Sequence, residues 1–274
     1  MKTRTRYLSE GWYPNSKKEI ESLLASWLPH APTEEICAGI SPHAGWTFCG
    51  SIIAQVSSRL PENIDTIAVL GGHNPPGMPV IAYRYDAWRT PTGTSTMDRD
   101  LFKLLENRSG EPWIDEEYAD NTVEAVLTMA LALRSKAAWM AWRLPADKRA
   151  VEFGIHLAAA AKTAGRRLAV LGSTDLTHYG PQYGFCPPES RANPVQWVKK
   201  RDERILEALV NFEGEKALTL ANKEQSACSS GGAVGAMSFA KTAGAVQGRV
   251  LSYATSRDVH PGNSFVAYAG VAWN

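Results

Sequence analysis

Three short stretches place histidine where an apolar run ends against glycine or proline: "SPHAGW" at 41–46, "LGGHNPPG" at 70–77 and "GSTDLTHYG" at 172–180. They carry His43, His73 and His178, half of the six histidines in the chain, with Asp175 three residues before the last. Neutral imidazole binds iron, copper and zinc, so two such nitrogens from neighbouring strand ends can form one edge of a metal site. A third donor is then required. In "KEQSACSSGGAVGAMSFA" Cys228 precedes a helix expected to start near Gly231. The positive end of a helix dipole lowers a thiol pKa and makes thiolate available. Glu224, in the same segment, is the alternative donor. A structural reading competes with each of these. A single histidine after a strand ordinarily serves as a hydrogen-bonding loop residue, and Cys228 can be a small buried side chain beside two glycines that permit close packing.

Such residues act together only in a frame that gathers their loops. Strand-like runs fall at 35–41, 65–72, 79–85, 137–144, 167–174, 248–255 and 264–273. Helical periodicity falls at 18–28, 46–59, 97–107, 121–134, 147–164, 194–210 and 231–244, with Asp147 and Asn193 as N-cap candidates. The alternation, without internal repeats or a linker, predicts an α/β fold: a single layered domain over 1–274 with a mostly parallel central sheet and helices on both faces. Ligands of such sheets bind beyond the carboxyl ends of the strands. That is where the three histidines are expected.

Composition narrows the partners. A chain of 274 residues with 44% hydrophobic content can bury a substantial core. Its 29 basic and 28 acidic residues leave a formal net charge of +1 without blocks of like charge, so no nucleic-acid footprint is expected. No apolar run approaches the roughly 18 residues of a membrane span, and the early positive charges are followed by no signal-like apolar region. The expectation is a soluble cytoplasmic chain whose partner is a small molecule, a peptide or another protein. Four cysteines, none in a CxxC pair, fit a reducing compartment better than a disulfide framework. Cys37 and Cys49 are expected in the core and Cys186 in a loop, with ordinary structural roles for His30, His156 and His260. The "GTSTMD" and "SSGGAVG" stretches lack the arrangement of a phosphate loop.

The order of several motifs carries a resemblance. "GWYP" at 11–14, "SPHAGWTFCG" at 41–50, "VLGGH" at 69–73, "RTPTG" at 89–93, "STDLTHYG" at 173–180 and the cysteine segment at 226–235 resemble the ordered motifs of the Memo family over nearly the whole chain. Bacterial and archaeal members of that family are called AmmeMemoRadiSam system protein B. Memo proteins are similar in fold to class III extradiol dioxygenases, in which non-heme Fe(II) opens catechol rings. The resemblance implies that His43, His73 and Cys228 are metal ligands, the cysteine standing where the dioxygenases have a carboxylate. It implies that His178 is an acid/base group beside them. Asp175 can orient an imidazole or a ligand, or cap its own loop.

The chain also departs from the family pattern. Where Memo proteins carry an "EHSxE"-like helix start this sequence reads "DNTVE", with Asn121 at the histidine position and Glu124 retained. The "CGxxP"-like segment is "CSSGGA". Asparagine can hydrogen-bond a substrate but cannot shuttle a proton near neutral pH, which leaves proton transfer to His178. A helix cap is the other role open to Asn121. The expected function is an iron-dependent oxidoreductase of extradiol-dioxygenase type acting on a small aromatic or diol substrate. Copper competes as the metal, because thiolate with imidazole suits Cu(I). The alternative is a Memo-like metal-binding or peptide-binding protein without dioxygenase turnover. Metal-assisted hydrolysis is disfavoured for want of a second carboxylate base. Trp46, Tyr179 and Tyr183 can stack on an aromatic ligand or simply pack.

Overall fold

Along 66–74, 138–145, 168–173 and 265–273, successive side chains point to opposite faces of one sheet, and both faces are apolar. Ala68, Leu70, Met140, Trp142 and Val170 enter one core, while Ile67, Val69, Trp139, Ala141 and Leu171 enter the other. Near-continuous hydrophobic runs of this kind are what a strand covered on both sides requires. The computed structural model describes residues 1–116, 118 and 120–274. Its strands are β1 (Thr3–Arg4), β2 (Ala38–Ser41), β3 (Thr66–Asn74), β4 (Ile81–Ala82), β5 (Ala87–Thr90), β6 (Gly93–Thr96), β7 (Ile114–Asp115), β8 (Ala138–Pro145), β9 (Leu168–Ser173), β10 (His178–Tyr179), β11 (Gly248–Thr255) and β12 (Phe265–Trp273). Its helices are α1 (Lys17–Trp27), α2 (Trp46–Ser57), α3 (Arg99–Ser109), α4 (Asn121–Leu133), α5 (Lys148–Ala164), α6 (Pro194–Val210), α7 (Gly214–Glu224) and α8 (Ser230–Ala243).

Nine strands form the main sheet in the order β10-β12-β2-β9-β3-β8-β4-β7, with β11 paired to β12. The middle strands β2, β9, β3 and β8 run parallel, whereas β12 is antiparallel to β2, β10 and β11, and β4 to β8. The α/β layering is as expected from the sequence: apolar residues of α1, α2 and α4 cover one face and those of α3 and α5 to α8 the other. The run of parallel strands is confined to the centre, with one further parallel pair where β7 joins β4 at the far edge. The link between β11 and β12 is too short for the crossover that a parallel pair needs, so that edge folds back as a hairpin.

The other departures are local. The expected strand at 79–85 shrinks to β4, which touches β8 only at Ile81 and Ala82. A separate three-stranded sheet, β1-β5-β6, is built around the "RTPTG" turn. Helix α7 and the short strands β7 and β10 were not among the elements expected from the sequence. Asp147 and Asn193 do cap their helices, accepting from the amides of Arg149 and Gln196. Glu124, buried on α4, accepts from the Tyr7 and Leu8 amides and the Tyr13 hydroxyl. It anchors the N-terminal segment that contains "GWYP".

Helix α8 lies unusually close to the sheet. A Cβ on Gly232 would stand 2.3 Å from the Leu70 carbonyl oxygen, one on Gly231 2.4 Å from that of Pro145, and one on Gly172 2.8 Å from that of Gly232. The close-packing role of the two glycines after Cys228 is therefore real. It also fixes where Cys228 falls relative to the ends of β2, β3 and β9. Because the obstructing atoms are backbone, Gly232→Ala should destabilise the fold by about 1–3 kcal/mol, as overpacked sites do. Denaturant unfolding measures this, and an unchanged midpoint would contradict the contact.

On the same side, Asp202 of α6 is fully buried and accepts from the Thr177 hydroxyl at 2.6 Å and the Tyr253 hydroxyl at 2.8 Å. Burial, opposed by those hydrogen bonds, pushes its carboxyl from the usual 3.8 up to about 7. A carboxyl with a raised folded-state pKa holds its proton more tightly folded than unfolded. Its stabilisation is fully present in acid below about pH 4 and is lost as pH rises through about 7. Asp202→Asn removes that titration, so Tm should decline less steeply between about pH 4 and 7 in the variant than in the parent. Equal slopes would count against a raised Asp202.

Candidate metal centre and cleft

The carboxyl ends of three adjacent parallel strands meet at one edge of the sheet. β2 runs out through Pro42 to His43, β3 carries His73 as its penultimate residue, and β9 passes through Thr174 to Asp175. The chain then enters β10 at His178, so this histidine sits on a short strand paired with β12 rather than in a free loop. Cys228 lies two residues before α8 and is tied to the same edge by its amide, which donates to the Asp175 carbonyl at 3.2 Å.

The ring of His43 is buried and held at both nitrogens, with Nδ1 2.9 Å from Ser173 Oγ and Nε2 3.2 Å from Cys228 Sγ. The rings of His43 and His73 meet edge to face with centroids 5.1 Å apart. Donor atoms of His43, His73 and Cys228 all lie within 4.8 Å of one another, as do those of Asp175, His178 and Cys228. Two imidazoles and a thiol at this spacing fit a single borderline or soft ion. All five residues singled out in the sequence on these strand ends and before α8 are thus brought together. Glu224 is not. It pairs with Arg201 and Arg204 at the end of α7, which removes it as an alternative donor.

Electrostatics in this pocket favour neutral groups. Burial, reinforced by neighbouring His73, pushes His43 down to about 3. Burial alone pushes Asp175 up to about 6, against the hydrogen bond that the His43 amide donates to its Oδ1 at 2.8 Å. His178 is lowered by burial, and its Nε2 has no hydrogen-bond partner among the described residues. The thiol of Cys228 is likewise pushed up by burial and by the Asp175 carboxylate. This overturns the dipole expectation. Cys228 precedes the N-cap Ser229, and desolvation outweighs the helix end. A thiolate at this depth needs a cation beside it.

Asn121 faces the cleft and is not the cap of its helix. Asp120 caps α4, accepting from the Thr122 amide at 2.7 Å, while Asn121 Nδ2 donates to the His43 carbonyl at 3.1 Å. Asp120 was not legible as a site residue. Its Oδ2 lies 3.4 Å from His73 Nδ1 and 3.6 Å from Arg143 Nη1. The aspartate before "NTVE" signals a cap, but nothing in the sequence says that the cap also faces a histidine. Of the aromatic candidates only Tyr183 is placed for a ligand, exposed and edge-on to His178 at 5.0 Å. Trp46 is core, with its Nε1 donating to the Ala125 carbonyl, and Tyr179 is buried against Ser190.

Two cavities adjoin the cluster. One of about 630 Å³ is lined by His73, Cys228, Asn222 and Gln225, and one of about 550 Å³ by Trp12, Phe48, Asn121 and Asp175. His178 and Tyr183 line both and so stand between them. His260, expected to be incidental, is on the wall of the second.

Comparisons with known proteins span nearly the whole chain. A MEMO1 family protein of Thermococcus onnurineus is 28% identical over 96% of both chains. MEMO1 family proteins of Pyrococcus furiosus and Nitrosopumilus maritimus are 25% and 28% identical over 95% and 94% of both chains. Residues 4–272 match the family described as Memo-like protein. With a single family covering all the strand ends that converge on the cleft, this chain belongs to the Memo family.

Proposed function

We propose that the protein is a metal-dependent oxidoreductase of the extradiol-dioxygenase type. On this reading His43, His73 and Cys228 hold a non-heme Fe(II), and the substrate is a small aromatic diol. The observation that carries it is the convergence of two imidazoles and one thiol within 4.8 Å, with His73 and Cys228 on the wall of the first cavity. On this reading the bound ion would keep Cys228 deprotonated, since a buried thiolate is stable only beside positive charge. Bound iron would supply a redox-active Lewis acid for a diol and dioxygen. Copper is the competing occupant, because imidazole with thiolate also suits Cu(I).

The chain's own residues then have distinct tasks. His178, with an unpartnered Nε2 between the cavities, takes a proton from a substrate hydroxyl and returns it to the product. Asn121 has its amide nitrogen engaged on the His43 carbonyl, which leaves its oxygen to accept from a substrate hydroxyl. Asp175 holds the His43 backbone through its amide. Tyr183, which lines both cavities, offers an aromatic ring for a ligand to pack against. Four free cysteines fit a reducing cytoplasm, and among the described residues no helix is long and apolar enough to cross a membrane. One observation favours a second reading, a metal- or peptide-binding protein without turnover. Asn121 stands where the resemblance puts a histidine, which leaves a single proton-transfer group.

Protein loaded anaerobically with Fe(II) should consume oxygen with a panel of catechols and release yellow ring-opened product. His43→Ala, His73→Ala and Cys228→Ala should each lose metal, read by elemental analysis and calorimetry, while the fold persists. His178→Ala should keep the metal and lose roughly 10²- to 10⁴-fold in turnover. Undiminished metal in all three ligand variants would remove the triad. Metal without turnover on any catechol would favour the binding protein.

A further inference from the structure

The first turn of α4 reaches both strand ends that carry the proposed ligands. Asn121 Nδ2 binds the His43 carbonyl at 3.1 Å. The Thr122 hydroxyl accepts from the Gly72 amide at 2.9 Å and donates to Asp120. Asp120 in turn places Oδ2 3.4 Å from His73 Nδ1. Its side chain is only 7% exposed and is flanked by Arg143.

The strand is bent at this point. Gly72 has φ +107°, a conformation that side-chain-bearing residues rarely adopt, and the pairing of β3 with β8 shifts register between Gly71 and Asn74. A bulge of this kind re-aims the side chain that follows it. Here that side chain is His73. A Cβ on Gly71 would come 2.4 Å from Thr122 Oγ1, so the helix turn is seated directly against the bend.

A buried carboxylate beside one nitrogen of a neutral imidazole draws the single proton to that nitrogen and leaves the lone pair on the other. For His73 the proton would sit on Nδ1 and the lone pair on Nε2. His43 has the same layout, with Nδ1 against Ser173 and Nε2 toward Cys228. We infer that Asp120 is a positioning residue: it fixes His73 as the Nδ1-protonated tautomer with Nε2 open to the donor cluster, while Asn121 and Thr122 hold the His43 and Gly72 backbones in register. The functional consequence rests on the proposed metal site, but the tautomer does not.

The two can therefore be tested apart. In metal-free protein with ¹⁵N-labelled histidine, at about pH 8.5 and so well above the ordinary histidine pKa of about 6.5, NMR reads each tautomer directly. The His73 signals are assigned by their loss in His73→Ala. Asp120→Asn retains a good helix cap but can present an amide N–H to Nδ1. The parent should show His73 protonated at Nδ1, and Asp120→Asn should shift it to Nε2 with near-parental Tm. Calorimetric Fe(II) affinity should fall roughly 10- to 100-fold, the usual effect of removing such a partner. A tautomer switch in a protein whose parent binds no Fe(II) supports the positioning role and defeats the metal reading. A parent already protonated at Nε2, or an Asp120→Asn variant with the parental tautomer, overturns the inference. If Asp120→Asn does not fold, Asp120→Ser keeps a capping oxygen too short to reach His73 and should likewise release the Nδ1-protonated form.

Discussion

The cleft depends on how closely α8 approaches the sheet. Gly172, Gly231 and Gly232 bring helix backbone against strand backbone, with no room for a methyl group at any of the three. That contact carries the segment before α8 over the carboxyl edge, where the Cys228 amide finds the Asp175 carbonyl and its sulfur finds His43. With larger residues there the helix would stand off by the width of a side chain, and the sulfur would leave the imidazoles. Backbone proximity is thus the prior condition for the donor cluster.

Once assembled, the cluster holds more ionisable groups than a dry pocket tolerates as charges. Its groups respond by favouring their neutral forms, with His43 pushed far down and Asp175 and Cys228 pushed up. Desolvation is the common cause, and a bound cation would reverse its effect on the thiol and steady the carboxylate. Asp120 behaves differently. Burial acts against it, yet hydrogen bonds from His73 and Thr122 hold its carboxyl well below the usual range. Asp120 is thus the group at this edge whose surroundings favour the anion, and it lies beside His73.

The N-terminal segment completes the second cavity. Glu124 on α4 binds its backbone at Tyr7 and Leu8, and Trp12 then forms part of the cavity wall. The residue retained from the family's helix start thus closes the cleft from outside. Its neighbours Asp120, Asn121 and Thr122 grip the strand ends from inside. One helix terminus serves both tasks because α4 begins where the sheet ends.

The sequence by itself determined the layers, the strand ends and most of the side chains that gather at the candidate site. Buried strands read as apolar runs, Gly and Pro punctuate their ends, and the polar residues released there can only gather at one edge of a parallel centre. His43, His73, Asp175 and His178 were legible for that reason. Cys228 was legible through its place just before a helix start and through the family resemblance. The antiparallel flanks, the bulge at Gly72 and the partnership of Asp120 with His73 were not, because each depends on what lies across the sheet rather than along the chain. The thiol of Cys228 makes the same point: a helix dipole is a local property that sequence can suggest, but desolvation is set by everything packed around the sulfur, and only the tertiary structure decides which prevails.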